Sequence, residues 1–560
     1  MNAQRSSRIE VAVCRITSIF ARSLLWLAPL ALASLAACGG GDGATSAAFG
    51  GGVSSSSSSS SSSSAGDGWV AGVYPPESQY VARCQNPRTG IDPATGQAYP
   101  DIQGSTLEEN FWLRSWTNDN YLWYSEVPDL DPGTYSTTAA YFTVLMTSAT
   151  DSLGEPKDKF HFTEATSQWE QFSQAGVDIG YGLTWALIAN VPPRQLYVAY
   201  VWPGGAAQAA GLARGAQILT IDGVDVANGA DVDTLNEGLS PTSAGESHTF
   251  TYQNSGSSTT QTVTLQAQQV TETPVPIVTT IATPTGTVGY ILYNDVIATS
   301  EQELINAINQ LKAANVSDLV LDLRYNGGGL LDIASELAYM IAGPTQTAGA
   351  YFEQDTFNDK HPDVNPFGQT TPPTPFYTTT QPGFTTQSGG TALPYLGLQK
   401  LYVLTGTSTC SASEAVINGL TGVNVQVIQI GSGTCGKPYG FYPQDNCGTS
   451  YFAIEFQGDN FARFGDYPDG FVPQNASQAS EYAPGAVLPG CSVADDFSNA
   501  LGAANEGRLA AALAYRTGGS ASCPAATGTG APATVHAQER LAIHVAPWKT
   551  IRILRRPARP

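Results

Sequence analysis

Leu401-Tyr-Val-Leu-Thr-Gly-Thr-Ser-Thr-Cys-Ser-Ala-Ser-Glu414 passes from an apolar run into a segment of small polar residues, and a lone lysine follows in Gly436-Lys437-Pro438. The run 401–404 reads as a buried strand, the segment after it opens a helix near Ser413, and 425–430 reads as the next strand. Working outward, 288–293 reads as a further strand and Ser300-Glu-Gln-Glu303 as a capping box that starts an amphipathic helix to about residue 314. Residues 319–324 then form a strand, Gly327-Gly-Gly329 a turn, and Leu330, Ile333, Leu337 and Ile341 one face of another helix. Strands alternating with helices predict an α/β layered core.

The same stretch offers chemistry. A serine hydroxyl is a poor nucleophile until a base within hydrogen-bond reach takes its proton. Histidine is the usual base, but His161, His248, His361, His536 and His544 lie in no catalytic pattern, and each reads as a packing or surface residue. Lysine can replace histidine only as the neutral amine, which requires burial away from water. Lys437 follows the apolar run 425–430 and has no acidic residue within several positions, which suits that demand. An oxyanion needs free amide N–H groups. The turn Asn326-Gly-Gly-Gly329 supplies unobstructed backbone, and Ser411-Ala412-Ser413-Glu414 at a helix start supplies the N–H after the nucleophile together with the helix dipole. Taken separately, these are a tight turn and a helix cap.

Upstream, 84–172 is dense in aromatics, with Trp112 and Trp116 four apart as on one helix face and 136–146 also helical in pattern. It reads as a small helical domain whose aromatics are core. Residues 176–270 turn to short β-rich runs with Gly/Ser/Asn turns. There Gly180-Tyr181-Gly182-Leu183, followed by Trp202-Pro-Gly-Gly through Gly211, Gly215 and Asp222-Gly223, resembles a PDZ domain. In such a domain the glycine loop receives a terminal carboxylate and the adjoining strand edge pairs with an extended peptide. The third region, 274–515, holds the α/β core. Within it 343–392 has no period and reads as a surface excursion, and 495–514 reads as a late helix. The tail, 524–560, is loosely composed and ends basic, with Arg552, Arg555, Arg556 and Arg559.

The chain of 560 residues carries a formal net charge of −22, which argues against nucleic acid as a partner. At its start, Arg5, Arg8, Arg15 and Arg22 precede an apolar stretch that ends in Leu35-Ala36-Ala37-Cys38. The pattern predicts an export signal over 1–38, and the tetrapeptide resembles a lipobox, in which Cys38 becomes lipidated. Residues 39–68, with an unbroken serine run, read as a flexible tether. Gly39 after that cysteine resembles lipoproteins bound for the outer membrane, facing the periplasm or the surface. Of eight cysteines, Cys84, Cys410, Cys435, Cys447, Cys491 and Cys523 remain for disulfides. Proximity suggests Cys435 with Cys447 and Cys491 with Cys523. No C-x-x-C spacing or histidine cluster points to a metal.

Asp322-Leu-Arg-Tyr-Asn-Gly-Gly-Gly329, Ser411-Ala-Ser-Glu414 and Gly436-Lys437, in this order after a PDZ-like segment, resemble the C-terminal processing peptidases of family S41. The resemblance spans about 111–515. It implies an α+β multidomain protein with a crotonase/ClpP-like α/β catalytic core, an inserted PDZ-like domain and a small N-terminal helical domain. It further implies a serine endopeptidase without cofactor, acting on extracytoplasmic polypeptides. Carried over by position, Ser411 is the nucleophile, Lys437 the general base, and the amides of Gly328 and Ala412 the oxyanion hole, with Gly180, Tyr181, Gly182 and Leu183 as the peptide-binding loop. Two departures stand out. Many members place a glutamine four residues after the lysine, where this chain has Phe441 and only Gln444 nearby. Cys410 and Cys435 also flank the two catalytic positions, and a bridge between them would clamp base to nucleophile. The alternative, a non-catalytic PDZ peptide-binding lipoprotein, rests on the missing glutamine alone.

Overall fold

Apolar runs without strict alternation become strands covered on both faces, and four of them form the middle of a central sheet of six strands. Their order is Ile277–Thr283, Gly286–Leu292, Asp318–Asp322, Lys400–Thr405, Gln426–Gly431 and Gly490–Ser492. The first two form an antiparallel hairpin, and every later pairing is parallel. Side chains alternate between two cores. Ile291, Leu321, Val403 and Val427 face the helices Ser300–Ala313, Leu331–Gln346 and Ala412–Gly422. Tyr290, Val320, Leu404 and Ile430 face the helix Gly507–Gly518 through Leu509 and Ala512.

This computed structural model describes residues 68–93, 95–151, 154–385 and 388–526, together with the backbone of Arg552–Leu554. The expected export signal with Cys38, most of the expected tether, His536 and His544 lie outside these residues. Among the described residues, no helix is long and apolar enough to cross a membrane.

The N-terminal region is built on the helix Thr106–Asn120, whose start is capped by Ser105 accepting from Glu108 N–H at 3.3 Å. Trp112 and Trp116 stack at 5.4 Å between ring centroids and pack on Tyr451, so this helix shares one continuous core with the α/β region. The pattern over 136–146 condenses to a short helix, Thr138–Phe142. The PDZ region has its own core around Leu196, Val198, Ile218, Leu235 and Phe250. Its sheet ends in the strand Leu183–Ala189, which pairs on one side with Gln195–Val201 and leaves the other as an edge.

Four expectations are corrected. Ser300 does not cap its helix: the N-cap is Thr299, Ser300 Oγ donates to Ile297 O, and Glu303 instead accepts from Val275 N–H. The late helix begins at Gly507, because Asp495 and Glu506 are drawn out of it to meet Arg324. The excursion 343–392 contains a strand, Tyr351–Phe357, paired antiparallel with Phe456–Asp459. The disulfides are Cys84–Cys447, Cys410–Cys435 and Cys491–Cys523, so Cys435 does not pair with Cys447.

Candidate active site

Three neighbouring parallel strands end level with one another, Asp322 beside Leu404 and Thr405 beside Gly431. The loops leaving these ends carry, in turn, the glycine turn, Ser411 and Lys437. Crevices outside the carboxyl ends of parallel strands are where α/β sheets hold ligands.

Ser411 has φ +67° and ψ −119°, a conformation that L-residues avoid at about 1–3 kcal/mol. Its surroundings hold it there. Cys410 N–H and Ser413 Oγ both donate to the backbone oxygen of Asn326, and Ser411 N–H donates to Glu414 Oε2 at 2.8 Å. The helix starts at Ala412, whose N–H belongs to the first-turn amides that have no intrahelical acceptor.

Glu414 is fully buried, and four donors converge on its two oxygens. Oε1 accepts from Thr434 Oγ1 at 2.5 Å and Gly436 N–H at 2.9 Å; Oε2 accepts from Ser411 N–H and, at 2.9 Å, from Lys437 N–H. Burial pushes the carboxyl pKa up, and these donors work against that shift. One side chain therefore joins the serine loop to the lysine loop. Local motif pattern gives Glu414 no role, because the contact is made across 23 residues of chain. The Cys410–Cys435 disulfide ties the same two loops covalently, with 5.1 Å between Cα atoms. Gly436 must be glycine: its φ is +81°, and a Cβ there would lie 2.0 Å from Pro468 O.

Lys437 is fully buried. Its Nζ lies 4.0 Å from the ring centroid of Phe441 and 5.0 Å from that of Phe160. Phe441, at the position where a glutamine was expected, thus covers the amine with an aromatic face. Gln444 belongs to a strand paired with Tyr451.

The glycine turn is anchored by Asn326, which donates from Nδ2 to Tyr293 O at 3.1 Å and accepts at Oδ1 from Gly328 N–H at 2.9 Å. Gly328 O accepts from Val296 N–H, and Leu330 N–H donates to Val296 O. Peptide groups alternate sides along a strand, so the N–H and carbonyl of Gly329 face away from Val296. Gly328, the expected oxyanion donor, therefore has its N–H engaged by Asn326. Just before the turn, Arg324 is completely buried and meets Asp322, Asp495 and, through both guanidinium NH₂ groups, Glu506. Tyr325 donates to Asp495, and Arg214 of the PDZ region reaches both. Burial opposes charge on Asp495, yet Arg508, Arg324 and Arg214 hold its pKa well below the usual carboxylate range.

Within the PDZ region, Tyr181 O accepts from Ala207 N–H and Gly182 O from Trp202 N–H, so the loop from Gly180 to Leu183 is folded onto Gly205. A cavity lined by this loop, Trp185 and Trp202 extends to Tyr325 and Ser408, residues of the two loops that lead to Asn326 and Ser411. Two of the described histidines have partners of their own. His161 is buried on Phe142, where burial lowers its pKa, and His248 lies between Asp222 and Glu246.

Comparison with known proteins finds three matched regions. Residues 108–162 match the peptidase S41 N-terminal domain, 177–241 the PDZ domain and 287–440 Peptidase family S41. The carboxyl-terminal-processing protease of Picosynechococcus sp. is 28% identical over 285 residues, covering 49% of this chain and 59% of that relative. A carboxyl-terminal-processing protease of Synechocystis sp. is 29% identical over 170 residues, 30% of this chain and 38% of the relative. The chain thus spans less than two thirds of the length of these curated relatives. A crystal structure described as an S41 protease of Bacteroides fragilis shares the fold, with a TM-score of 0.51 at 23% identity over 75% of this chain and 98% of that one. Matches to the S41 N-terminal domain, a PDZ domain and Peptidase family S41 thus follow one another along this one chain.

Proposed function

We propose that the chain is a serine endopeptidase of the C-terminal processing type, with Ser411 as nucleophile and Lys437 as general base. The observation that carries this reading is the fastening of both loops to Glu414, with the serine backbone held at φ +67° and the lysine buried. Neutral Lys437 takes the Ser411 proton as Oγ attacks the scissile carbonyl carbon. The oxyanion is held by Ala412 N–H at the positive end of its helix and by the glycine turn, where Gly328 N–H moves from Asn326 Oδ1 to the oxyanion. The protonated lysine then gives its proton to the leaving amine. Water, deprotonated by Lys437, attacks the acyl carbon, and the bond from that carbon to Ser411 Oγ breaks as Lys437 returns the proton to Oγ.

Substrates on this reading are extended or unfolded polypeptides. The loop Gly180-Tyr181-Gly182-Leu183 and the edge strand Leu183–Ala189 offer a place for a peptide C-terminus, close to the loops of the active site. We assign the protein to the cell envelope, exported by its first 38 residues and held at the outer membrane through a lipid on Cys38. The test is hydrolysis of an unfolded polypeptide by the purified chain and by its Ser411→Ala and Lys437→Ala forms. Cleavage by the native chain alone supports the reading; undiminished cleavage by either variant contradicts it.

A further inference from the structure

The strand that carries the glycine turn, Gly328–Leu330, has a second neighbour. Arg552–Leu554, from the far C-terminus, pairs with it in parallel, Gly328 beside Arg552, Gly329 beside Ile553 and Leu330 beside Leu554. The same three residues also lie against Tyr439–Gly440 and against the helix Ala412–Gly422 that begins after Ser411. The register, together with the use of Gly328 O and Leu330 N–H by Val296, leaves Gly329 as the residue that bonds to the tail. Its N–H then meets the carbonyl of Arg552, and its carbonyl meets the N–H of Leu554. An extended polypeptide is therefore seated between the oxyanion side and the base side of the site.

We propose that the chain's own C-terminal segment, centred on Arg552–Leu554, occupies the substrate groove of the free protein as an intramolecular competitor. The proposal rests on the peptidase reading for the identity of the groove and goes beyond it by naming the occupant. Charge favours that occupant. The tail carries Arg552, Arg555, Arg556 and Arg559 in a chain of net charge −22. The loop that packs on Gly436, ahead of Lys437, lines a cavity with Asp466, Asp469 and Glu481. A tethered strand acts at an effective concentration of roughly millimolar, so a segment with Kd of about 100 μM raises the apparent Kd of any competing peptide about ten-fold.

The test uses the full chain carrying Ser411→Ala, so that binding is read without turnover, and a fluorescent peptide with the sequence of residues 548–560 as probe. A second full-length form adds Leu554→Pro, which removes the N–H given to Gly329, and a third adds Arg555→Glu/Arg556→Glu. The proposal expects the probe to bind the Leu554→Pro form about ten-fold more tightly than the native-tail form, with the double charge reversal shifting affinity in the same direction. Equal affinity for native-tail and Leu554→Pro chains overturns it. Competition that strengthens with protein concentration also overturns it, because the strand would then come from a neighbouring copy. If the probe distinguishes these forms while the chain with Ser411 intact hydrolyses nothing, the groove assignment survives and the peptidase reading fails.

Discussion

The backbone N–H groups of Ser411 and Lys437 donate to the same oxygen, Oε2 of Glu414, at 2.8 and 2.9 Å. The proposed nucleophile and base, on different loops and separated by 26 positions in sequence, are thereby held to one atom. On the proposed reading, the spacing of these two side chains depends on one buried carboxyl group.

Glu414→Gln exchanges one acceptor oxygen for an NH₂ donor facing amides that also donate. It is expected to lower kcat about 100-fold, the scale of a misplacement near 1 Å, with KM little changed. A loss that appears in KM alone, with kcat preserved, contradicts the positioning role. Reaction rate with a serine-directed phosphonate gives an independent readout, since it reports the nucleophile without product release.

Cys410–Cys435 holds the same two loops. Cys410→Ser/Cys435→Ser is expected to slow phosphonate labelling at least several-fold while the chain keeps its circular dichroism spectrum. Cys491→Ser/Cys523→Ser, which frees the last sheet strand from the chain after the late helix, is the comparison. Equal labelling rates for the two double variants would remove any special role for the first bridge.

A lysine base acts as the neutral amine, so kcat/KM should rise with pH as Lys437 loses its proton. His161, whose pKa burial lowers, follows Phe160 and is stacked on Phe142, and His248, where Glu246 and Asp222 overcome burial and raise it, lies in the PDZ region. Substituting either histidine with glutamine is expected to leave the acidic limb in place. Disappearance of that limb in one of these variants contradicts the assignment.

Glu336 concerns stability. Burial, then the charge of Glu301, push its carboxyl up to about 10 from 4.5, while Gln381 N–H donates to both carboxyl groups. A folded pKa above the unfolded one means that the stabilisation is complete below about 4.5 and is lost as pH climbs toward 10. Glu336→Gln, which stays neutral, is expected to flatten the fall of Tm between pH 5 and 9. A parallel fall in both proteins contradicts it.

Much of this architecture is readable from local pattern. The runs around 288–293, 319–324, 401–404 and 425–430 are apolar on both faces because the sheet is covered on both sides, and Ser411, Lys437 and the glycine turn sit at strand ends where short motifs concentrate. What sequence reading missed depends on distant partners. Glu414 looks like a helix-start residue until the loop of Lys437 closes over it. Cys84 and Cys447 are 363 positions apart, beyond any argument from proximity. Ser300 loses its expected cap because Glu303 is taken by Val275, and the late helix is cut short because Arg324 claims Asp495 and Glu506. The strand Tyr351–Phe357 is partly polar and gains its pairing only from Phe456–Asp459.

Mass mapping of a phosphonate adduct tests the central claim most directly. The native chain should carry a single adduct on the peptide containing Ser411, formed faster as pH rises, and Lys437→Ala should nearly abolish it with Ser411 still present. An adduct on another residue, or undiminished labelling of Ser411 in the Lys437→Ala protein, contradicts the account.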